Sequence, residues 1–217
     1  MEVQTFEYDP KDVVETAQGN KIHKQCCAHG SQNIMLNGSS ILLKDVVVRG
    51  DMAQVRMGKF CIVGERTVIR PSYKQFQKGA TYFHSNVGDH VMIEEDCVIE
   101  AVQIGSYVHI GAGSIIGNGV IVKDCSIILP KSVIPPNQII PPFTVFGGNP
   151  AKQIDDAPET TQLLMTQATS DYYQQYISET PELKKKYEDE LQQQIEQLKQ
   201  IQEELPFFRC LKAMIVN

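Results

Sequence analysis

The feature of this sequence that most constrains its fold is a six-residue period of aliphatic side chains between residues 87 and 145. An isoleucine or valine recurs at every sixth position, and only the step from Ile99 to Ile104 is one residue short. The leading positions are Val87, Ile93, Ile99, Ile104, Ile110, Ile116, Val122, Ile128, Ile134 and Ile140. A short fixed period predicts a repeat fold, in which each unit buries its apolar side only by stacking on its neighbours.

Six residues are too few for a pair of helices and fit one short strand with one tight corner. The leading β-branched residue is expected to point inward, and coils of three units stack at about the 4.8 Å spacing of paired strands. A small or short residue follows four places on, at Cys61, Thr67, Val91, Cys97, Val108, Ser114, Val120, Ser126, Ser132 and Thr144. Glycine directly follows the leading residue at Gly58, Gly64, Gly88, Gly105, Gly111 and Gly117. We expect these glycines to let the backbone bend without a Cβ clash.

The period occupies two blocks, and the segment between them breaks it. The first block runs through Met57, Val63 and Ile69, and the second runs from 87 to about 146. Residues 71–86 lack the period but contain four aromatic residues, Tyr73, Phe76, Tyr82 and Phe83. We expect a loop that protrudes from a corner of the solenoid and is a candidate interaction surface. The alternative is a lid packed on the coil's own face.

Three regions follow from these patterns. Residues 1–152 predict the solenoid, and residues 153–181 predict a helix that caps its exposed end, since an open strand edge needs cover. Pro158 precedes this helix. Apolar residues recur in it at helical spacing, at Leu163, Leu164, Ala168, Tyr172 and Tyr176.

The C-terminal residues 182–217 predict a helical extension with heptad character. Leu191, Leu198 and Leu205 recur every seven residues, and Ile201 belongs to the second row of the same seam. We predict that these four side chains contact a partner. The alternative is a lone helix lying on the solenoid.

Composition excludes some classes of function. The net charge is −6, which argues against non-specific nucleic-acid binding, because that binding needs a basic face. No apolar run approaches the ~18 residues that span a bilayer. The six cysteines form no CxxC pair, and the first residues are acidic and polar, so we expect reduced thiols in a cytoplasmic protein that does not insert into membranes.

The repeats resemble the left-handed parallel β-helix of the hexapeptide-repeat proteins. Within that group, Arg49-Gly50-Asp51 and the following Met57-Gly58 resemble the gamma-class carbonic anhydrases, whose zinc is held by three histidines shared across a trimer interface. Alignment of the repeats places those ligand positions at Arg70, Glu95 and Glu100. An arginine repels a cation, so the resemblance implies a lost zinc site and no cofactor. Arg49 and Asp51 are expected to pair with each other or across a subunit contact.

A second enzymatic alternative is a hexapeptide-repeat acyltransferase. Those enzymes often end in a segment like residues 148–152, and they need a histidine base aimed at an acceptor hydroxyl. His109 is the one histidine inside the regular repeat with a claim to that role, and its neighbours Tyr107 and Ile110 supply no carboxylate to orient it.

The whole pattern resembles the dynactin subunit 5 family over about residues 1–180. The residues that carry the resemblance are ETAQGNKI (15–22), GSQNIMLNG (30–38), VVVRGD (46–51), TVIRP (67–71), FQKG (76–79), VGDHVMIEEDCVIEAVQIGSYVHIG (87–111), IIPPFTVFGGNPA (139–151) and SDYYQQY (170–176).

The resemblance implies a non-catalytic subunit of the dynactin pointed-end complex, in the cytoplasm and associated with the cytoskeleton. It implies partners in an actin-related protein, dynactin subunit 6, a larger zinc-containing subunit and dynein cargo adaptors.

Overall fold

Strands of two to six residues, joined by tight corners, wind into a parallel β-solenoid in a computed structural model that describes residues 6–9, 11–77 and 79–178. The coils stack into three faces, each a parallel sheet in which strands from successive coils pair. This confirms the predicted solenoid.

The strands of the described chain are grouped by face. Face 1 contains Lys21–His23, Ile41–Leu42, Ile62–Val63, Met92–Ile93, His109–Ile110, Ile127–Ile128 and Thr144–Gly148. Face 2 contains Cys27–His29, Val47–Arg49, Val68–Ile69, Val98–Ile99, Ile115–Ile116 and Val133–Ile134. Face 3 contains Ile34–Leu36, Val55–Met57, Ser85–Val87, Gln103–Ile104, Ile121–Val122 and Ile139–Ile140.

Both ends of face 1 gain an antiparallel strand, Val13–Glu15 beside Lys21–His23 and Ala151–Asp156 beside Thr144–Gly148. The remaining elements are a 3-10 turn at Ser31–Asn33, a hairpin of Tyr73–Phe76 and Gly79–Tyr82, a helix at Thr161–Gln175, and a two-stranded sheet of Phe6–Tyr8 and Tyr176–Ser178.

The leading residues of the period form the core. The isoleucines at 93, 99, 104, 110, 116, 128, 134 and 140 are each at most 1% exposed. The residue before each of them points outward, because successive side chains of a strand alternate between its two sides. Packing of these residues from three faces excludes water along the solenoid axis, which is the main stabilising contribution of such a fold.

The small residues four places on are buried too, and their polar atoms bond to backbone carbonyls of the next coil or of their own corner. Thr67 Oγ1 donates to the Glu94 carbonyl at 2.9 Å, and Ser114 Oγ donates to the Leu129 carbonyl at 3.0 Å. The Cys61 thiol lies 3.1 Å from a carbonyl oxygen of the coil above. Burial raises the pKa of Cys61 to about 12, so this thiol stays protonated and packs rather than reacts.

The glycines of the repeat serve a different purpose from the one predicted. Gly64 is not in the positive-φ region, but a Cβ there would lie 2.4 Å from the backbone of Glu94. The bend itself falls on corner residues with side chains, such as Phe60 (φ 54°) and His90 (φ 55°). These glycines therefore permit the close approach of neighbouring coils, and the expectation that they carry the bend is wrong.

The predicted helix is present at Thr161–Gln175, but its location and its buried side differ from the prediction. Leu163 and Leu164 are 67% and 57% exposed, while the helix buries Thr161, Met165 and Thr169. The Tyr173 hydroxyl donates to the Gly19 carbonyl at 2.7 Å, at the first coil. The helix therefore lies along the side of the solenoid instead of capping its end, and Ala151–Asp156 is the strand that covers the last strand of face 1.

The predicted extension at 182–217 lies outside the described residues, and so do Leu191, Leu198, Ile201 and Leu205. In the described part of the chain, no helix has the length and apolar character needed to cross a bilayer.

Candidate functional site

Charged residues meet at the corner between faces 2 and 3. The register places Arg49, Arg70 and Glu100 side by side on successive coils, because Ile69 pairs with Val48 on one side and with Ile99 on the other. Arg70 Nε donates to Glu100 Oε1 at 2.7 Å. Two hydrogen bonds of 2.8 and 2.9 Å join Arg49 to Asp51. We call these four residues the charged corner.

Glu95, the third aligned ligand position, is not at this corner. It is exposed and lies between faces 1 and 2, where the neighbouring Arg66 makes two bonds of 2.7 and 2.8 Å to Asp96. The hydrogen bond to Asp96 raises the pKa of Arg66, and Glu95 adds to that effect.

These residues do not fit a zinc site, because Arg70 is a cation already engaged by Glu100 and zinc ligands must offer a free lone pair. Across residues 6–9, 11–77 and 79–178, no three His, Cys, Asp or Glu side chains are grouped to hold a metal ion.

The segment predicted as a loop forms an antiparallel hairpin beside the charged corner. Tyr73 pairs with Tyr82 and Phe76 with Gly79. The four aromatic side chains of the segment, at 73, 76, 82 and 83, are each 40–48% exposed. Large aromatic side chains are costly to leave in water, and their clustering on a surface is typical of a contact with another protein.

Asn118 fixes the base of the hairpin to the solenoid. Its Oδ1 accepts from the backbone N–H of Tyr73 at 2.8 Å and from Ser72 Oγ at 2.7 Å, while its Nδ2 donates to the Tyr73 carbonyl at 2.7 Å. One coil lies between the hairpin and Asn118. At this corner that coil has the single shortened step of the period, from Ile99 to Ile104. Ser72 and Tyr73 therefore contact Asn118 across this coil.

The ion pair of the charged corner stabilises both of its charges. The hydrogen bond to Asp51 raises the pKa of Arg49. The same bond lowers the pKa of Asp51. The two sets of residues predicted separately as interaction candidates, Arg49 with Asp51 and the aromatic residues of 71–86, are neighbours in the fold. Arg49 lies beside Arg70, and the hairpin begins at Tyr73, shortly after Arg70.

His109 has an acidic partner that its sequence neighbours did not reveal. Glu94, on the preceding coil, lies 2.9 Å from His109 Nε2 and accepts the backbone N–H of Ala112 at 2.7 Å with its other oxygen. The sequence neighbours Tyr107 and Ile110 supply no carboxylate, but the preceding coil does. The partner is 15 residues away in sequence, a separation set by coil length.

A stack of rings lines the corner that precedes face 1. The ring of His90 lies 5.1 Å from that of Phe60 and 5.6 Å from that of Tyr107, nearly parallel to both. Its Nδ1 is 2.8 Å from Thr169 Oγ1 on the helix. Burial lowers the pKa of His90 from its usual 6.5, against an opposing effect of Asp89.

This geometry predicts a pH-dependent stability. A lowered pKa means that the folded state prefers neutral His90, so the stabilisation is complete above pH 6.5 and is lost as the pH falls below it. In His90→Phe the ring stack is retained but the titration is removed. We expect the urea midpoint of the wild type to fall relative to that of His90→Phe between about pH 7 and pH 5. A difference that stays constant over this range would show that His90 is not coupled to folding.

The family comparison matches most of the chain. The sequence profile described as dynactin subunit 5 matches residues 1–181. A curated protein of Dictyostelium discoideum named dynactin subunit 5 is 51% identical over 181 residues, which is 83% of this chain and 91% of that protein.

Solved structures with the same fold are far more distant in sequence. A hexapeptide transferase family protein from Anaplasma phagocytophilum has a TM-score of 0.56 at 18% identity and covers 74% of this chain and 93% of its own. AntD, an N-acyltransferase from Bacillus cereus, has a TM-score of 0.57 at 11% identity and covers 77% of this chain and 92% of its own. At such low identity these two similarities establish the fold alone.

Proposed function

This chain belongs to the dynactin subunit 5 family, and we propose that it is a non-catalytic structural and interaction subunit of the dynactin pointed-end complex. In this proposal it helps to cap the actin-like filament and to recruit dynein cargo adaptors, in the cytoplasm and in association with the cytoskeleton. Its partners are an actin-related protein, dynactin subunit 6 and the larger zinc-containing subunit.

The observation that carries the proposal is the exposed aromatic hairpin held beside the charged corner. A stiff solenoid loses little conformational entropy when a partner binds, because its surface is already ordered. The aromatic residues of 73–83 supply apolar contact area, and Arg49 and Arg70 supply charged groups at its border. Buried aromatic anchors with a polar rim are the usual anatomy of a protein interface.

Affinity purification of the tagged chain from cells tests this function. We expect the wild type to recover the actin-related protein and dynactin subunit 6. The triple variant Tyr73→Ala, Phe76→Ala, Tyr82→Ala should lose at least one partner or adaptor by about tenfold or more, since each exposed aromatic anchor contributes about 1–2 kcal/mol to a typical interface.

Leu163→Ala is the matched control, because it removes a side chain that is even more exposed, at 67%, from a different surface. It should leave recovery unchanged. A wild-type eluate that lacks the actin-related protein and dynactin subunit 6 would overturn the proposed function. Equal recovery with the triple variant and the wild type would exclude the hairpin as the contact.

The alternative function is acyl transfer, and the pairing of His109 with Glu94 favours it, since an oriented histidine is what a general base requires. Acyl transfer is the second candidate, because His109 does not line the groove that borders the hairpin at Ser72, Gln75 and Asn118. Binding of coenzyme A to the purified chain, abolished in His109→Ala, would favour the enzyme. For a gamma-carbonic-anhydrase-like metalloenzyme the corresponding observation is zinc that co-purifies with the chain.

A further inference from the structure

We propose that the groove beside the hairpin binds an extended peptide segment of a partner protein, which adds to the outer edge of Tyr73–Phe76 as a third strand. This inference rests on the proposed function and deepens it, because it names the kind of partner segment that the surface takes. Four observations carry it: the direction of the backbone groups on this edge, the role of Asn118, the space available and the side chains that border it.

The first observation concerns the backbone N–H and C=O groups of Tyr73–Phe76 that point away from the other strand of the hairpin. Phe83 N–H donates to the Ser72 carbonyl at 2.8 Å, so residues 72 and 83 form a hydrogen-bonded pair. In an antiparallel ladder such pairs alternate with pairs whose N–H and C=O groups point away from the partner strand. Residues 73 and 75 therefore direct their backbone groups to the outer edge of Tyr73–Phe76, the first arm of the hairpin. In the described part of the chain this sheet has only two strands.

The second observation is that this edge already binds an amide group. The side chain of Asn118 accepts the N–H of Tyr73 and donates to its C=O, at 2.8 and 2.7 Å. A neighbouring strand makes the same two bonds with its peptide groups. Asn118 thus imitates the first residue of a third strand. The next outward position, two residues on, is Gln75, which has no third strand beside it in the described chain.

The third observation is the space in front of Gln75. A groove of about 540 Å³ lies between the first arm and the corner that carries Asn118 and Asn137. Ligand sites in proteins commonly span about 300–1,000 Å³. The arm has four residues, which gives an edge of about 13 Å at the rise of a strand. An extended segment of a few residues fits this length.

The fourth observation is the chemistry of the border. Phe83 and Val102 supply apolar surface, and Lys74, Gln75 and Asn137 supply polar groups. Recognition by an added strand takes its affinity from backbone hydrogen bonds and its selectivity from alternate side chains. Here the alternate side chains of the segment would meet either the Phe83 surface or solvent. The groove is therefore suited to a peptide with apolar residues at every second position.

A proline scan of the two hairpin edges tests the inference. Gln75→Pro removes the outward N–H in the groove without removing a bond between the two arms, and proline is tolerated at sheet edges. Ala80→Pro is the matched control, because Ala80 is the cross-strand partner of Gln75 and its N–H points to the opposite edge. A random-peptide phage library is selected on the full-length chain, and the recovered peptides are measured by fluorescence polarisation.

We expect the selected peptides to bind Gln75→Pro about tenfold more weakly than the wild type, and Ala80→Pro within about twofold of it. Failure to enrich any peptide would overturn the inference, and so would peptides that bind all three proteins equally. Selected peptides that resemble residues 179–217 would identify the chain's own segment as the occupant and would also overturn it. If the selection fails while the wild type still co-purifies with the actin-related protein, only this inference is lost and the proposed function stands.

Discussion

Replacing Ile116 with alanine should lower the free energy of unfolding by about 2–5 kcal/mol. Its side chain is fully buried and lies in the ladder between Ile99 and Ile134. Truncation removes apolar contacts and leaves a cavity that neighbouring coils cannot fill, because their spacing is fixed by backbone hydrogen bonds. Urea titration of the purified chain, followed by circular dichroism, measures the change.

Ile115→Ala is the control, because it makes the same chemical change in the same strand on a side chain that is 44% exposed. It loses the same preference for strand conformation but creates no cavity. We expect a loss of only about 0.5 kcal/mol. Equal losses at the two positions would contradict the assignment of the leading residue of the period to the core.

The core could be predicted from the sequence because burial requires an apolar residue at the same position of every repeat. A strand alternates its sides, so each inward isoleucine must recur at the length of one strand and corner. The residues at 93, 99, 104 and 110 are buried as this pattern requires. The small residues four places on follow the same logic, since they too point into the coil.

The partners of the candidate site could not be predicted, because they come from the stacking of coils. Asn118 binds the backbone of Tyr73 across 45 positions of sequence, and Glu94 contacts His109 across 15. Such contacts depend on which corners coincide, and one shortened step changes the sequence offset between the strands that pair across it, such as Asn86 with Gln103. The Arg70 and Glu100 pair was within reach of the sequence, because both follow an inward isoleucine at equivalent corners.

The buried side of the helix was mispredicted because hydrophobic spacing was its only guide. Leu163 and Leu164 look like core residues, yet the surface beneath the helix is partly polar and its contacts include His90 with Thr169. A better signal was available in the strands. Ile41 and Ile62 occupy outward positions of face 1 but are at most 3% exposed. Apolar residues at outward positions of the first coils therefore indicate a surface that another segment of the chain covers.

The contact that holds the end of this helix is centred on Lys21. This lysine is only 7% exposed, and its ammonium group lies 4.5 Å from the ring centre of Tyr173. It donates to the carbonyl oxygens of Tyr173 and Tyr176, where the helix ends. A cation is favoured there, because the last carbonyls of a helix carry partial negative charge. Burial lowers the pKa of Lys21, and Glu15 opposes that effect.

Lys21→Met should therefore loosen the helix while it preserves the aliphatic part of the side chain. The substitution removes charge-assisted hydrogen bonds that contribute about 1.5–3 kcal/mol, and it leaves two carbonyl groups without their donor. We expect faster amide hydrogen exchange across residues 161–175 and a lower urea midpoint. The exchange should rise first near Tyr173, because that end of the helix loses its anchor.

Lys24→Met provides the matched control, since Lys24 is an exposed lysine in the turn that follows the same strand. Its loss should change the free energy of unfolding by no more than about 0.5 kcal/mol. Exchange in residues 161–175 that is equally slow in Lys21→Met and the wild type would show that the ring contacts of Phe60 and Tyr173 hold the helix without the cation. Lys21 lies in the same outward row of face 1 as Ile41 and Ile62, because Lys21 pairs with Ile41 and Ile41 pairs with Ile62. Its loss would therefore act on the helix through this row of the first coils.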